Sequence, residues 1–171
     1  MSILLLARDP ATVTAAALEE IALLVPEMVV RVTRDRAAIE TMLDEVEIAA
    51  GHLPHDLLVR APALRWFQQW GAGADWLLRY PEASERDFIL TNASGVHAIP
   101  ISEQIIGTML MFARGLHQAV RAQSTRMWRQ PPDDGLFELA GKTLLLIGVG
   151  AIGERTAALA SALGMQVEGL R

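Results

Sequence analysis

The sequence contains no cysteine, which excludes disulfide bridges and metal sites built from thiolates. It also lacks an excess of basic residues, because 15 lysines and arginines stand against 20 aspartates and glutamates, for a net charge of -5. A nucleic-acid partner is therefore not expected, since binding a polyanion requires a basic surface. The first residues carry neither a cationic segment nor a small-residue cleavage site, so we expect no signal peptide.

Long uninterrupted apolar runs are missing as well. The most apolar region, residues 99–120, is broken by serine, glutamate, glutamine, arginine and histidine, whereas a membrane-spanning helix needs roughly 18 successive apolar residues. We therefore expect no membrane partner and predict a cytoplasmic protein. Hydrophobic residues still make up 51% of the sequence and the mean hydropathy is +0.27, which excludes a disordered chain.

Short β-type runs alternate with amphipathic helical patterns through the first half of the sequence. Parallel neighbours in a sheet need a crossover connection, usually a helix, so this alternation predicts an α/β fold with a doubly wound parallel sheet. Strands are predicted at 2–7, 28–32, 46–49, 64–70 and 88–91, and helices at 12–24 and 37–43.

One long helix is predicted over residues 100–121. Pro100 suits the first turn of a helix, where its missing N–H has no cost. Apolar residues recur on adjoining faces of this helix, which predicts that it is strongly buried. They are Ile101, Ile105, Met109, Phe112 and Leu116. The following segment, 129–135, contains two prolines and a glycine among polar residues and is predicted to be a linker.

A glycine-rich motif follows a strand predicted at 143–147 and precedes a helix predicted at 154–163 and a strand at 165–170. Gly148 permits a tight turn, Gly150 lets a pyrophosphate approach the backbone, and Gly153 allows close packing of helix and strand. The positive end of the helix then faces the diphosphate. We predict that this loop binds a dinucleotide cofactor through Gly148, Gly150, Ala151, Ile152 and Gly153; a glycine-rich turn without a ligand is the alternative.

The residue at the end of the second strand distinguishes the two nicotinamide cofactors. An acidic side chain about twenty residues after the motif normally accepts the ribose 2′-hydroxyl of NAD. This sequence has Arg171 there, and a guanidinium binds a 2′-phosphate through paired charge-assisted hydrogen bonds. The prediction is NADP as cofactor, with NAD possible; the alternative is an ordinary surface arginine.

Three stretches together resemble the D-isomer-specific 2-hydroxyacid dehydrogenases, within that family most of all the glyoxylate/hydroxypyruvate reductases. They are WFQQWGAGAD at 66–75, TNASGVHAIPISE at 91–103 and the glycine motif with its strand at 141–153. The resemblance implies a flavodoxin-like substrate domain at 1–99 and a crossover and dimerisation helix at 100–128. It also implies the first β-α-β unit of an unfinished Rossmann NAD(P)-binding domain at 129–171.

The activity implied by the resemblance is hydride transfer between a nicotinamide and C2 of a small 2-oxo or 2-hydroxy acid. It places Ala72 and Gly73 where backbone N–H groups hold the substrate carboxylate, although a plain turn also fits this loop. His97 falls where relatives carry a polar residue facing the cleft, with a structural role as the alternative. Trp128 is more typical of a packing anchor than of a residue that reaches a partner's active site.

The catalytic arginine, carboxylate and histidine of the family come after the point where this chain stops, so no catalytic residue is predicted within it, and no metal site. The chain resembles the front half of an enzyme, and by itself it is expected to be inactive and to associate. A homodimer is implied by the resemblance. The alternative function is a non-enzymatic, dinucleotide-sensing or corepressor-like module of the same fold. Formate or phosphoglycerate dehydrogenase is a less favoured alternative among enzymes.

Overall fold

A computed structural model describes residues 2–128 and 135–171 of the chain. These residues form two compact units that part between Ser94 and Gly95. The predicted substrate domain, 1–99, therefore shares nearly all its residues with the first unit, whereas the predicted crossover helix, 100–128, lies in the second. The predicted linker at 129–135 falls outside the described residues except for Gly135.

The first unit contains a five-stranded sheet in which every pairing is parallel. Its strands are β1 (Ile3–Ala7), β2 (Val29–Val32), β3 (Val46–Gly51), β4 (Trp66–Gln69) and β5 (Ile89–Thr91). They are arranged in the order β2-β1-β3-β4-β5, which is the flavodoxin-like order. The predicted doubly wound parallel fold is confirmed.

The interior strand β1 shows why this segment forms a sheet core. All five residues of β1 are buried, as expected for a parallel strand covered on both faces. Leu5 on β1 and Phe67 on β4 belong with Ile39 and Leu57 from helices to one apolar cluster. This cluster fixes the strand ends, and with them the loops that carry the candidate site.

Three helices connect these strands: α1 (Ala15–Leu24), α2 (Arg36–Met42) and α3 (His55–Leu58). The prediction began α1 too early, because Pro10–Thr12 form a separate 3-10 turn and the Thr14 hydroxyl accepts a hydrogen bond from Ala17 N–H at 3.2 Å. The prediction also missed α3 and the 3-10 turns Asp75–Leu78 and Pro81–Glu85.

The second unit contains α4 (Ala98–Ala113), α5 (Leu116–Ser124), β6 (Thr143–Ile147), α6 (Ala151–Ala162) and β7 (Gln166–Leu170). Strands β6 and β7 are parallel and α6 connects them, so the predicted β-α-β unit is confirmed. Helix α6 begins earlier than the predicted 154–163. One apolar core joins α4 to the β-α-β unit. Its buried residues are Ile106, Ala113, Leu139, Ala160 and Met165.

The single long helix predicted at 100–121 is wrong, because α4 and α5 are separate helices. Gly115 between them adopts a φ of +65°, a left-handed conformation that ends a helix. The predicted strong burial is wrong as well: within this unit Phe112 is 54% exposed and Leu116 is 51% exposed. No helix among the described residues is long and apolar enough to cross a membrane.

Candidate functional site

The loop after β4 is held in place by the buried side chain of Gln69. Its amide nitrogen donates hydrogen bonds to the carbonyl oxygens of Gly71, at 2.9 Å, and Gly73. Its amide oxygen accepts a hydrogen bond from Trp76 Nε1 at 2.7 Å. The residue that follows β5 restrains the third carbonyl, because Asn92 Nδ2 donates to the Ala72 carbonyl at 2.9 Å. Three consecutive carbonyl groups of the loop are therefore fixed by side chains.

The amide groups of the same loop are left available. Within the described part of the chain, neither Ala72 N–H nor Gly73 N–H has a protein acceptor, and both residues are exposed. Backbone N–H groups are strong donors that normally find a partner. The loop is held by its carbonyl groups and has two N–H donors free, an arrangement that is suited to binding a small anion.

A cavity of about 520 Å³ adjoins this loop in the first unit. Gly71 and Gly73 line it together with His52, His55 and Tyr80. The His55 ring stacks on Trp76, with ring centroids 4.3 Å apart and an interplanar angle of 8°. Burial lowers the pKa of His55 from its ordinary value, and the charges of Asp56 and Asp75 only partly oppose this effect.

In the second unit, the glycine motif lies between the end of β6 and the start of α6. Gly148 has a φ of +96°, and its N–H donates to the Leu170 carbonyl at 2.8 Å, which ties the turn to β7. Gly153 is buried, and a Cβ atom there would lie only 2.4 Å from the Gly148 carbonyl oxygen. The turn and the first coil of α6 therefore require the absence of both side chains.

Gly150 differs from these two glycines, because nothing in the protein requires it. Its φ is -96°, and a Cβ atom added there would meet no atom within 4 Å. Gly150 precedes α6 without a side-chain cap, so the N–H groups of Ala151, Ile152 and Gly153 at the start of the helix have no capping side chain. Open space in front of uncapped donors fits the diphosphate of a dinucleotide.

Arg171 follows β7 at the same sheet edge as the glycine turn. The β6–β7 register pairs Ile147 with Leu170, so the next residues in the two strands, Gly148 and Arg171, leave the sheet side by side. Arg171 is exposed. The group expected at this position in a dinucleotide-binding unit is the one that contacts the ribose.

The two remaining predicted residues are also exposed. His97 belongs to the second unit and immediately precedes α4, where its side chain makes no capping hydrogen bond. Trp128 is 93% exposed, which does not match the packing role expected of it. The structure thus gathers Gly148, Gly150 and Arg171 at one edge of the second unit, and Ala72 and Gly73 in one loop of the first.

Sequence reasoning missed Gln69, Asn92 and Trp76, which shape the first loop. One signal was present: Gln69 occupies an inward position of a strand whose other inward residue, Phe67, belongs to the core. A buried amide without an obvious partner normally has a specific hydrogen-bonding role. Among residues 2–128 and 135–171, no group of three or more histidine, aspartate or glutamate side chains is placed to hold a metal ion.

Comparison with known proteins relates this chain to a family. The sequence model for the D-isomer specific 2-hydroxyacid dehydrogenase, NAD binding domain, matches residues 106–171. A hydroxypyruvate reductase of Thermotoga maritima is 30% identical over 166 residues, covering 96% of this chain and 49% of that protein. A D-3-phosphoglycerate dehydrogenase of Methanocaldococcus jannaschii is 33% identical over 114 residues, covering 67% of this chain and 21% of that protein.

A solved structure of the same family is also similar to this chain. The D-isomer specific 2-hydroxyacid dehydrogenase family protein of Aeromonas salmonicida subsp. salmonicida A449 superposes with a TM-score of 0.82 at 30% identity, covering 99% of this chain and 53% of that one. The chain thus spans about half the length of the Thermotoga maritima and Aeromonas salmonicida proteins, and 21% of the Methanocaldococcus jannaschii protein. The chain belongs to the D-isomer-specific 2-hydroxyacid dehydrogenase family.

Proposed function

We propose that this chain provides the substrate-carboxylate loop and the first cofactor-binding unit of an NAD(P)-dependent dehydrogenase that acts on small D-2-hydroxy acids. The reaction is the reduction of a 2-oxo acid of the glyoxylate or hydroxypyruvate type, and its reverse. The observation that carries the proposal is the Gly71–Gly73 loop. Side chains hold its three carbonyls, whereas the N–H groups of Ala72 and Gly73 have no acceptor among the residues that the structure describes.

In this proposal the first unit binds and orients the acid. The N–H groups of Ala72 and Gly73 donate to the two oxygens of the substrate carboxylate. Gln69 holds the Gly71 carbonyl, which shares its peptide with Ala72 N–H, and Asn92 holds the Ala72 carbonyl, which shares its peptide with Gly73 N–H. Because the C=O and N–H of a trans peptide point in opposite directions, both N–H groups point away from these two side chains. A preorganised pair of donors binds an anion without having to reorder first. His97, at the start of α4, remains a predicted second contact to the substrate.

The second unit holds the cofactor in this proposal. Gly148 and Gly153 shape the turn, and the N–H groups of Ala151, Ile152 and Gly153 would donate to the diphosphate in the open space in front of α6. When bound, the nicotinamide supplies or accepts the hydride. The residues of this chain bind and position that group.

A variant at Gly150 tests cofactor binding without disturbing the fold. Because a side chain at this position meets open space, Gly150→Val is expected to leave the stability within about 1 kcal/mol while blocking the diphosphate. Titrations with NADPH and NADH, followed by cofactor fluorescence, are expected to show binding to the wild-type chain and loss of binding in the variant. Equal binding by both chains would refute the assigned cofactor site.

Arg171 supports a preference for NADP. This exposed residue follows β7 beside the glycine turn, where a 2′-phosphate is expected. Replacing it by aspartate is expected to weaken NADPH binding and to spare or improve NADH binding, since a carboxylate accepts from the ribose hydroxyls and repels the phosphate. If the ratio of the dissociation constants for NADPH and NADH is unchanged, Arg171 is an ordinary surface arginine that does not contact the 2′-phosphate.

Two further features belong to this proposal. We infer that the protein works as a cytoplasmic homodimer. Exposed apolar side chains of the second unit favour association, because each is more than half exposed. They are Ile99, Phe112, Leu116 and Val120.

We also expect the 171-residue chain alone to bind cofactor without reducing glyoxylate. Light scattering tests the association, and a steady-state assay with NADPH tests the inactivity; cofactor binding without turnover in the complete gene product would favour the dinucleotide-sensing alternative.

A further inference from the structure

The sheet order of the first unit identifies one position where a ligand is most readily bound. In open parallel α/β sheets, ligands bind beyond the carboxyl ends of the strands at the point where the strand order reverses. In the order β2-β1-β3-β4-β5 this point lies between β1 and β3. The residues that follow these two strands are therefore well placed to contact a ligand.

Three such residues lie side by side. Ala7 pairs with Gly51, and Gly51 pairs with Gln69, so the residues that come next, Arg8, His52 and Trp70, leave β1, β3 and β4 at one edge. The Arg8 guanidinium carbon lies 4.6 Å from the centre of the Trp70 ring. The His52 ring meets the same indole edge-on, at a centroid distance of 5.7 Å.

Gly51 makes this arrangement possible. It has a φ of +106°, and a Cβ atom there would lie 2.8 Å from the Ala7 carbonyl oxygen and 3.3 Å from the Trp70 ring. The same carbonyl accepts a hydrogen bond from His52 N–H at 2.9 Å. The ends of β1 and β3 are thus drawn together under the indole, which fixes the platform on which Arg8 rests.

The Arg8 side chain is half-buried and has no anionic partner among the described residues. No ion pair or side-chain hydrogen bond joins it to residues 2–128 or 135–171. The neighbouring carboxylate of Asp9 is used elsewhere, because it accepts from Ala11 N–H at 3.0 Å. Stacking on an aromatic ring occupies the face of a guanidinium and leaves its five N–H donors, which lie in the plane, free to bind an oxyanion.

We propose that Arg8, held on Trp70, binds a second oxyanion at the far end of the substrate, so that 2-oxo and 2-hydroxy acids with a terminal carboxylate or phosphate are preferred over those without one. This inference rests on the proposed function, in which Ala72 and Gly73 hold the first carboxylate, and it places acids with a second anion ahead of glyoxylate and hydroxypyruvate, which carry none, as substrates of the same reaction. Trp70 directly precedes the Gly71–Gly73 loop, so Arg8 on its indole and the loop amides lie at the same end of the sheet.

Matched pairs of acids test this proposal on the full 171-residue chain. D-lactate and D-malate differ by a terminal carboxylate, and D-glycerate and 3-phospho-D-glycerate differ by a terminal phosphate. Dissociation constants are measured from NMR chemical-shift titrations of the backbone amides and the Trp70 indole. The acid with the terminal anion is expected to bind at least about tenfold more tightly within a pair, the gain typical of one charge-assisted hydrogen bond. The pair with the larger ratio tells carboxylate from phosphate.

Two arginine variants separate a specific site from overall charge. Arg8→Met keeps an unbranched side chain on the indole and is expected to remove the preference for dianions while changing the affinity for D-lactate and D-glycerate less than twofold. Arg65→Met is the matched control, because Arg65 precedes β4 at the opposite edge of the sheet, where its side chain is 80% exposed beside Glu47. This control is expected to keep the full preference. Thermal unfolding checks that both variants fold.

The outcomes distinguish this inference from the proposed function. The role of Arg8 is overturned if the two acids of each pair bind to the wild-type chain with equal dissociation constants. It is also overturned if Arg8→Met leaves the ratio of these constants unchanged. Equal losses in Arg8→Met and Arg65→Met also overturn it, because they show an effect of net charge alone. If D-lactate and D-glycerate fail to bind while the dianions bind in an Arg8-dependent manner, the Arg8 site is supported and the proposed carboxylate loop is refuted.

Discussion

Replacement of Gly153 by alanine examines the close approach on which the cofactor turn depends. Alanine is the better helix former by about 0.5–1 kcal/mol, so helix propensity alone predicts stabilisation of α6. The added Cβ atom, however, would lie 2.4 Å from the Gly148 carbonyl oxygen, a backbone atom that no side-chain rotation can move. Relief to an ordinary contact requires a shift of about 1 Å between the turn and the helix, and overpacking of this kind costs about 1–3 kcal/mol.

Gly107 provides a matched control in the same unit. It lies in the interior of α4, and a Cβ atom there would meet nothing within 4 Å. Gly107→Ala is therefore expected to stabilise the unit by about 0.5–1 kcal/mol. The two variants have the same chemical change in the same kind of element, so the difference between them, about 2 kcal/mol, isolates the clash with Gly148.

Amide hydrogen exchange of β6 and β7 reports the stability of this unit directly. We expect faster exchange in Gly153→Ala than in the wild-type chain, slower exchange in Gly107→Ala, and an NADPH affinity at least about tenfold lower in Gly153→Ala alone, the loss expected when hydrogen bonds to a charged group are displaced. Wild-type exchange and affinity in Gly153→Ala would refute the claim that the turn requires this glycine.

Three further predictions concern the first unit. Gln69→Leu leaves the buried Trp76 N–H without its acceptor and releases two loop carbonyls, so urea denaturation is expected to show a loss of about 2–4 kcal/mol, and NMR titration is expected to show loss of carboxylate binding. Because burial lowers the pKa of His55, the folded unit binds fewer protons than the unfolded chain, and stability is expected to fall as the pH drops from 7 towards 5. In urea midpoints measured across this pH range, His55→Gln is expected to reduce the dependence of stability on pH. Arg86 donates to the carbonyls of Leu58, Val59 and Ala61 at the end of α3, so Arg86→Met is expected to lower the melting temperature by several degrees, at a cost of about 1–3 kcal/mol.

Each of these predictions has a contrary result. Carboxylate binding retained by Gln69→Leu would show that the loop does not need its clamp. A pH slope unaffected by His55→Gln would assign acid sensitivity to other groups. A melting temperature unchanged in Arg86→Met would show that water replaces the guanidinium at the three carbonyls.

The sequence was sufficient for features that depend on short-range patterns. Alternation of β-type and helical segments indicated a parallel α/β sheet because parallel strands require crossovers. The spacing of Gly148, Gly150 and Gly153 indicated a dinucleotide turn because each position has its own steric demand. In the second unit the predicted strands at 143–147 and 165–170 agree with β6 and β7 to within one residue.

The break between α4 and α5 depended on tertiary structure. Gly107 and Gly115 both interrupt apolar helical patterns, yet Gly107 remains inside α4 and Gly115 ends the helix with a positive φ. A contact distant in sequence accompanies the second case: Phe137 N–H donates to the Ala113 carbonyl at 3.1 Å. A helix can end where a partner satisfies its last carbonyl groups, and residue periodicity does not identify that partner.

The sequence by itself determined the class of fold and the cofactor motif, because both follow from residues close together along the chain. Only the tertiary structure decided how the Gly71–Gly73 loop is clamped by Gln69 and Asn92, and that Arg8 rests on Trp70 beside His52. The strand order brings the residues that follow β1, β3 and β4 to one end of the sheet. Because these residues are far apart in the sequence, their contacts form only when the strands pair.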